Sequence, residues 1–68
     1  MKIRYFTDTD TAFIEFSNEL IEETKELSEN LYIDLDKHGN IVSMTIEHAK
    51  INANIKELSY MQVENNST

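Results

Sequence analysis

Over much of the chain, apolar and polar positions alternate with a period of two, the spacing of strands that bury one face. In Lys2–Phe6, Ile3 and Tyr5 fall on one side and Lys2 and Arg4 on the other. Ala12, Ile14 and Phe16 share a side while Phe13 and Glu15 take the other, which predicts a second strand over Ala12–Phe16. Between them, Thr7-Asp8-Thr9-Asp10-Thr11 has no apolar residue. Its side chains hydrogen-bond their own backbone, so it reads as the loop of a hairpin.

The clearest local pattern runs from Leu31 to Ile46. Leu31, Ile33 and Leu35 alternate with Tyr32, Asp34 and Asp36 before the turn Lys37-His38-Gly39-Asn40, and the return strand alternates in step. If Gly39 is the left-handed residue of a type I turn with a bulge, Asp36 faces Ile41. Leu35 then meets Val42, Ile33 meets Met44 and Leu31 meets Ile46, so these six share one face. They form the expected core layer, joined by Ile3, Tyr5, Ile14, Phe16, Ile51, Ile55 and Leu58.

The segment from Leu20 to Asn30 is balanced between two readings. Its glutamates favour helix, whereas Ile21, Glu23, Lys25 and Leu27 alternate with Glu22, Thr24 and Glu26 as a strand would. Beyond Glu47 the period changes, with Ile51, Ile55 and Leu58 at i, i+4 and i+7. One short helix, from about His48 to Leu58, is expected to cap the apolar face of the sheet. Tyr60–Val63 is read as a last strand. The whole predicts an α+β, mostly β fold, an antiparallel sheet of about four to six strands with one short C-terminal helix packed on it. A single domain is expected over 1–64 and a flexible polar tail over 65–68.

Composition narrows the function classes. A chain of 68 residues holds one thin core, since about 60% of its unfolded surface can be buried at this size. Dimerisation is an expected supplement. The chain has no cysteine, which excludes disulfides and thiolate metal sites and fits a reducing, cytoplasmic setting. Its start, Met1-Lys2-Ile3-Arg4, runs straight into a strand pattern without the apolar stretch of a signal peptide or membrane anchor. A formal charge of −7 disfavours nucleic acid and anionic lipid and favours a basic protein partner.

Few residues point to chemistry. Asp8 and Asp10 lack the further ligands and glycine of a calcium loop, so turn formation explains them better. Asp34 and Asp36 leave the same side of a strand about 7 Å apart, with Tyr32 and Ser43 beside them. Tyr32, Asp34, Asp36 and Ser43 are the candidate binding residues, against the plainer reading of a solvated sheet face. His38, in the hairpin turn, and His48, beside Glu47, are the side chains that acid or base catalysis would most readily recruit. No nucleophilic cysteine, Ser-His-Asp set or glycine-rich phosphate loop accompanies them, and no catalytic, metal or cofactor site is expected.

The residues also resemble a known family, domain of unknown function 2283. Its pattern opens with a basic strand ending in Tyr, an acidic loop ending in Asp and an apolar strand, matched by Tyr5, Asp10 and Ala12–Phe16. A Glu-Thr-rich strand follows, then an Asp-x-Asp-x-x-Gly turn and an Ile-Val return, matched by Glu22–Leu27, Asp34, Asp36, Gly39, Ile41 and Val42. Phe6 and Thr7 depart from an Asp-Pro pair, Ser43 from a glycine and Thr45 from a glutamate. The resemblance implies that Leu20–Asn30 contains a strand. It implies no activity, and by analogy with members that neighbour small toxins it implies an antitoxin-like role.

The leading functional expectation is a non-enzymatic protein-interaction module. The alternative is a small ligand-binding protein or hydrolase whose site forms across a dimer interface, because a monomer of this size has little concave volume.

Overall fold

The computed structural model describes residues 1–53 and 60–63. Five strands, β1 (Lys2–Phe6), β2 (Thr11–Glu15), β3 (Glu23–Ser28), β4 (Leu31–Leu35) and β5 (Ile41–Glu47), precede a single helical turn, α1 (Ala49–Asn52). The fold is α+β and mostly β, one open antiparallel sheet of order β1-β2-β5-β4-β3. The hairpins β1–β2 and β4–β5 lie side by side, and the chain crosses from β2 to the far edge strand β3 along a Greek-key path. Backbone bonds hold the crossing. The N–H groups of Phe16 and Ser17 donate to the Val42 carbonyl at 2.8 and 3.2 Å, and that of Glu22 to Leu35 at 2.8 Å.

The register sorts the side chains into two faces, because residues opposite each other in adjacent strands project to the same side. On one face a row runs Ile3–Ile14–Met44–Ile33–Lys25 across all five strands. A second runs Tyr5–Ala12–Ile46–Leu31, and Leu35 pairs with Ile41 beyond. The other face carries Lys2–Glu15–Ser43–Asp34–Thr24 and Arg4–Phe13–Thr45–Tyr32–Glu26. We refer to these as the apolar and the acidic face. β3 therefore is a strand, and it places Glu23 and Lys25 on the apolar face, a device that discourages edge-to-edge pairing.

The β4–β5 hairpin follows the expected pairing for Ile33–Met44 and Leu31–Ile46 but not for Leu35–Val42. Asp36 donates its N–H to Asn40 at 2.9 Å and accepts that of Gly39 at 3.0 Å. Asp36 thus closes on Asn40 instead of Ile41, and Leu35 meets Ile41. Val42 is then an extra residue that restores the inner register, so the hairpin holds a second irregularity besides the one at Gly39.

Gly39 has φ +81°, and a Cβ built on it would meet nothing within 4 Å. Substitution there is strained by the backbone alone. Gly39→Val is expected to lower stability by about 1–2 kcal/mol, and Gly39→Asn by well under half of that, since asparagine tolerates the left-handed region. Urea unfolding of both variants checks this, and equal midpoints would contradict the turn.

The core is thinner than the sequence predicts. Among the described residues the buried apolar ones are Ala12, Val42 and Ala49, and Ser43 is the buried polar one. Leu31, Ile33, Leu35, Met44, Ile46, Ile14 and Tyr5 are half-buried, while Ile3 and Phe16 are 41% and 42% exposed. The expected cap over them is only partly present in the described residues. α1 ends at Ala53, whose backbone is extended at φ −152°, ψ 156°. The turn is anchored by buried Ala49, which puts Ile51, about 200° further round the helix, into solvent at 85% exposed. Ile55 and Leu58 lie outside the described residues. Tyr60–Val63 forms no strand, and its Tyr60, Met61 and Val63 are more than 70% exposed.

Candidate interaction surface

The sheet brings three of the four candidate residues together on the acidic face. Asp34 sits between Thr24 of β3 and Ser43 of β5 in the register. Its Oδ1 accepts the Thr24 hydroxyl at 2.6 Å and its Oδ2 the Ser43 hydroxyl at 2.5 Å. Ser43 is 1% exposed, so this bond satisfies a hydroxyl that water does not reach. Tyr32 lies in the next row, between Glu26 and Thr45. The Glu47 carboxylate beside it holds the Tyr32 phenol above its usual pKa, with Glu26 and Glu29 adding to the effect. The shift reports a negative potential over this part of the face.

Asp36 stands apart and serves the turn. Its Oδ1 accepts the N–H groups of His38 and Asn40, each at 2.9 Å. These bonds, led by that from Asn40, lower its pKa. The sign is that of acid lability: the stabilisation is present above the ordinary carboxylate range and lost as pH falls through the lowered value. His38 lines an open depression of about 620 Å³ with Ser17, Glu19, Glu22 and Lys37, between the hairpin turn and the β2–β3 crossing.

His48 partners Asn30 and not the neighbouring Glu47. His48 is left-handed at φ 51°, which turns its Nδ1 to the Asn30 side-chain oxygen at 3.0 Å. At the same end of the sheet Asp10, also left-handed at φ 55°, accepts the Tyr5 hydroxyl at 2.6 Å and the Lys50 N–H at 3.2 Å on Oδ1. The Tyr5 bond chiefly lowers the Asp10 pKa and raises that of Tyr5. Asp10 therefore is more than a turn former. It ties β1 to the start of α1, and Ala49 adds an N–H bond of 2.9 Å to its carbonyl.

Sequence reasoning missed Thr24, Glu26, Glu47 and Phe13 as members of the acidic face. With Leu20–Asn30 open between helix and strand, nothing placed Thr24 or Glu26 beside Asp34 and Tyr32. The basic residues of this face, Lys2 and Arg4, sit at the opposite edge on β1. The Arg4–Glu15 contact, 4.0 Å between partners 53% and 31% exposed, is a weak surface pair. Among the described residues, no group of three or more His, Cys, Asp or Glu side chains is gathered to hold a metal. Nor is any helix among them long and apolar enough to cross a membrane.

Fold and surface together define a small Greek-key sheet protein with one apolar and one acidic face. The chain belongs to the family described as "Protein of unknown function (DUF2283)", whose model matches residues 2–50. The matched stretch covers all five strands. No curated protein and no solved structure matches the chain.

Proposed function

We propose that the protein is a non-enzymatic interaction module that binds a basic protein partner through the acidic face. The observation that carries this reading is the grouping of Glu26, Asp34 and Glu47 around Tyr32 on one rigid sheet face. Carboxylates on paired strands lose little entropy on binding, and an aromatic among them supplies contact area for a basic segment. The net charge of −7 extends the attraction beyond contact range. An antitoxin-like role, neutralising a basic partner, is one form this module takes.

The test is copurification from the native host, followed by titration of the partner found at low and moderate salt. A Glu26→Gln, Asp34→Asn, Glu47→Gln variant removes three charges at nearly constant side-chain size, Asp34→Asn keeping one of the two acceptor oxygens that Thr24 and Ser43 use, and circular dichroism verifies that it folds. Binding of a basic protein that weakens on adding salt and falls at least about tenfold in the variant is expected. Unchanged affinity in both conditions, or recovery of a small molecule in place of a protein, would overturn the reading.

A further inference from the structure

The two outer strands of the sheet are defended unequally. An edge strand leaves backbone N–H and C=O groups unpaired, and a charge turned toward the apolar face or a break in the strand keeps another strand from adding there. β3 has both, with Glu23 and Lys25 on the apolar face and an irregular register between Glu26 and Ser28. β1 has neither. Its register with β2 is unbroken from Lys2 to Phe6, and Ile3 and Tyr5 take its apolar side. Its charges, Lys2 and Arg4, lie on the other side, where they repel a basic strand and attract an acidic one. Among the described residues no strand pairs with the outer edge of β1, and no backbone hydrogen bond reaches Lys2–Phe6 from outside the β1–β2 ladder.

We propose that β1 is a strand-addition site for an extended acidic segment of another protein, whose carboxylates lie beside Lys2 and Arg4 and whose alternate apolar side chains lie beside Ile3 and Tyr5. The main-chain ladder supplies affinity and the alternating side chains supply specificity. A second copy does not fit this edge. Antiparallel pairing of β1 with itself sets Lys2 and Arg4 of the two copies against each other, and pairing with a copy's β3 puts Glu23 and Lys25 beside Ile3 and Tyr5. The chain's own residues beyond Ala53 do not fit it either. Asn52 shares a depression with Ser28, Asn30, Leu31 and Ile46, so the chain leaves α1 beside the β3–β4 turn. From β4 the outer side of β1 is four strand spacings away in the sheet order, about 19 Å. That distance takes up all six residues of 54–59 even when fully extended. Tyr60–Val63, next in line, forms no strand, and Glu64-Asn65-Asn66-Ser67-Thr68 holds no apolar residue to set beside Ile3 and Tyr5. The net charge of −7 opposes an acidic segment at long range, which confines the attraction to the edge itself. This edge lies across the sheet from Glu26 and Tyr32, and the proposal does not rest on the basic-partner reading, so either can fail while the other stands.

The probe is a synthetic peptide, acetyl-Glu-Val-Glu-Ile-Glu-Val-Glu-amide, titrated into isotope-labelled full-length protein at physiological ionic strength and followed by NMR. Amide shifts on Lys2–Phe6 are expected, with intermolecular backbone NOEs to this strand. The same peptide with lysine for every glutamate is expected to bind at least about tenfold more weakly. A fully N-methylated form, which keeps the side chains and loses the backbone donors, is expected not to bind. A Lys2→Glu, Arg4→Glu variant, verified as folded by circular dichroism, is expected to reverse the preference between the glutamate and lysine peptides. Absence of shifts at millimolar peptide, contacts that fall on β3, or equal binding of the two peptides would overturn the proposal. So would NOEs in the free protein from Lys2–Phe6 to residues beyond Ala53 or to a second copy, since the edge would then be filled by this chain.

Discussion

Val42→Asp is expected to leave the protein unfolded at neutral pH. Val42 is 4% exposed at the bulge of β5, and its carbonyl receives the N–H groups of both Phe16 and Ser17. A carboxylate at so buried a position must be desolvated or protonated, at a cost of several kcal/mol. A domain of this size has only about 3–5 kcal/mol to lose. The same change loosens the place where the β2–β3 crossing is tied to the sheet, so the Greek-key path and the core fail together. Circular dichroism and amide dispersion in NMR check this. A folded variant with wild-type midpoint would show that Val42 is not the interior residue described. Val42→Ala, which leaves a small cavity without a charge, is expected to fold with a loss of about 1–3 kcal/mol.

Asp34→Ala is expected to cost about 1–3 kcal/mol, because it strands the Ser43 hydroxyl, 1% exposed, without its acceptor. Thr24→Ala removes the other hydroxyl on the same carboxylate but is expected to cost under about 1 kcal/mol, since Thr24 is exposed and water takes its place. Asp34→Asn, which retains an acceptor toward Ser43, should fall between them. The asymmetry between the two hydroxyls is the informative result. A double-mutant cycle of Asp34→Ala with Ser43→Ala is expected to give a clear coupling energy. Additive losses would place the two side chains out of contact. The cycle isolates what Asp34 does for the sheet, so that this can be subtracted from any effect of its charge on the proposed partner binding.

The parts of this fold legible in the sequence are those set by a single local pattern. Period-two alternation placed β1, β2, β4 and β5, and one glycine placed the hairpin turn. Long-range pairing was less accessible. That β5 lies between β2 and β4 follows from Ile14 and Ile33 both facing Met44, which local periodicity does not encode. β3 was ambiguous because an edge strand is under little pressure to alternate. All six of its residues are exposed, and its glutamates carry helix propensity that tertiary pairing overrides. The helical spacing of Ile51, Ile55 and Leu58 predicted a longer cap; buried Ala49 turns Ile51 outward and the extended backbone at Ala53 ends α1, while Ile55 and Leu58 lie outside the described residues.

The candidate site was half legible for the same reason. Tyr32, Asp34 and Ser43 share a face once the β4–β5 register is known, and that register came from the hydrophobic pattern. Asp36 was grouped with them by alternation alone. Its proximity to the turn lets its carboxylate cap two backbone N–H groups, a local competition that the strand period does not anticipate. Thr24 and Glu26 required β3 to be placed first.

The proposed partner binding depends on the division of the sheet into an apolar and an acidic face. Methyl and cross-strand NOE spectroscopy of the full-length protein tests that division most directly. The expected result is an unbroken chain of contacts from Ile3 to Ile14 to Met44 to Ile33, with Ser43, Asp34 and Thr24 linked on the opposite side. Ile33 and Met44 on different faces, or Ile14 remote from Met44, would contradict both the register and the surfaces built upon it.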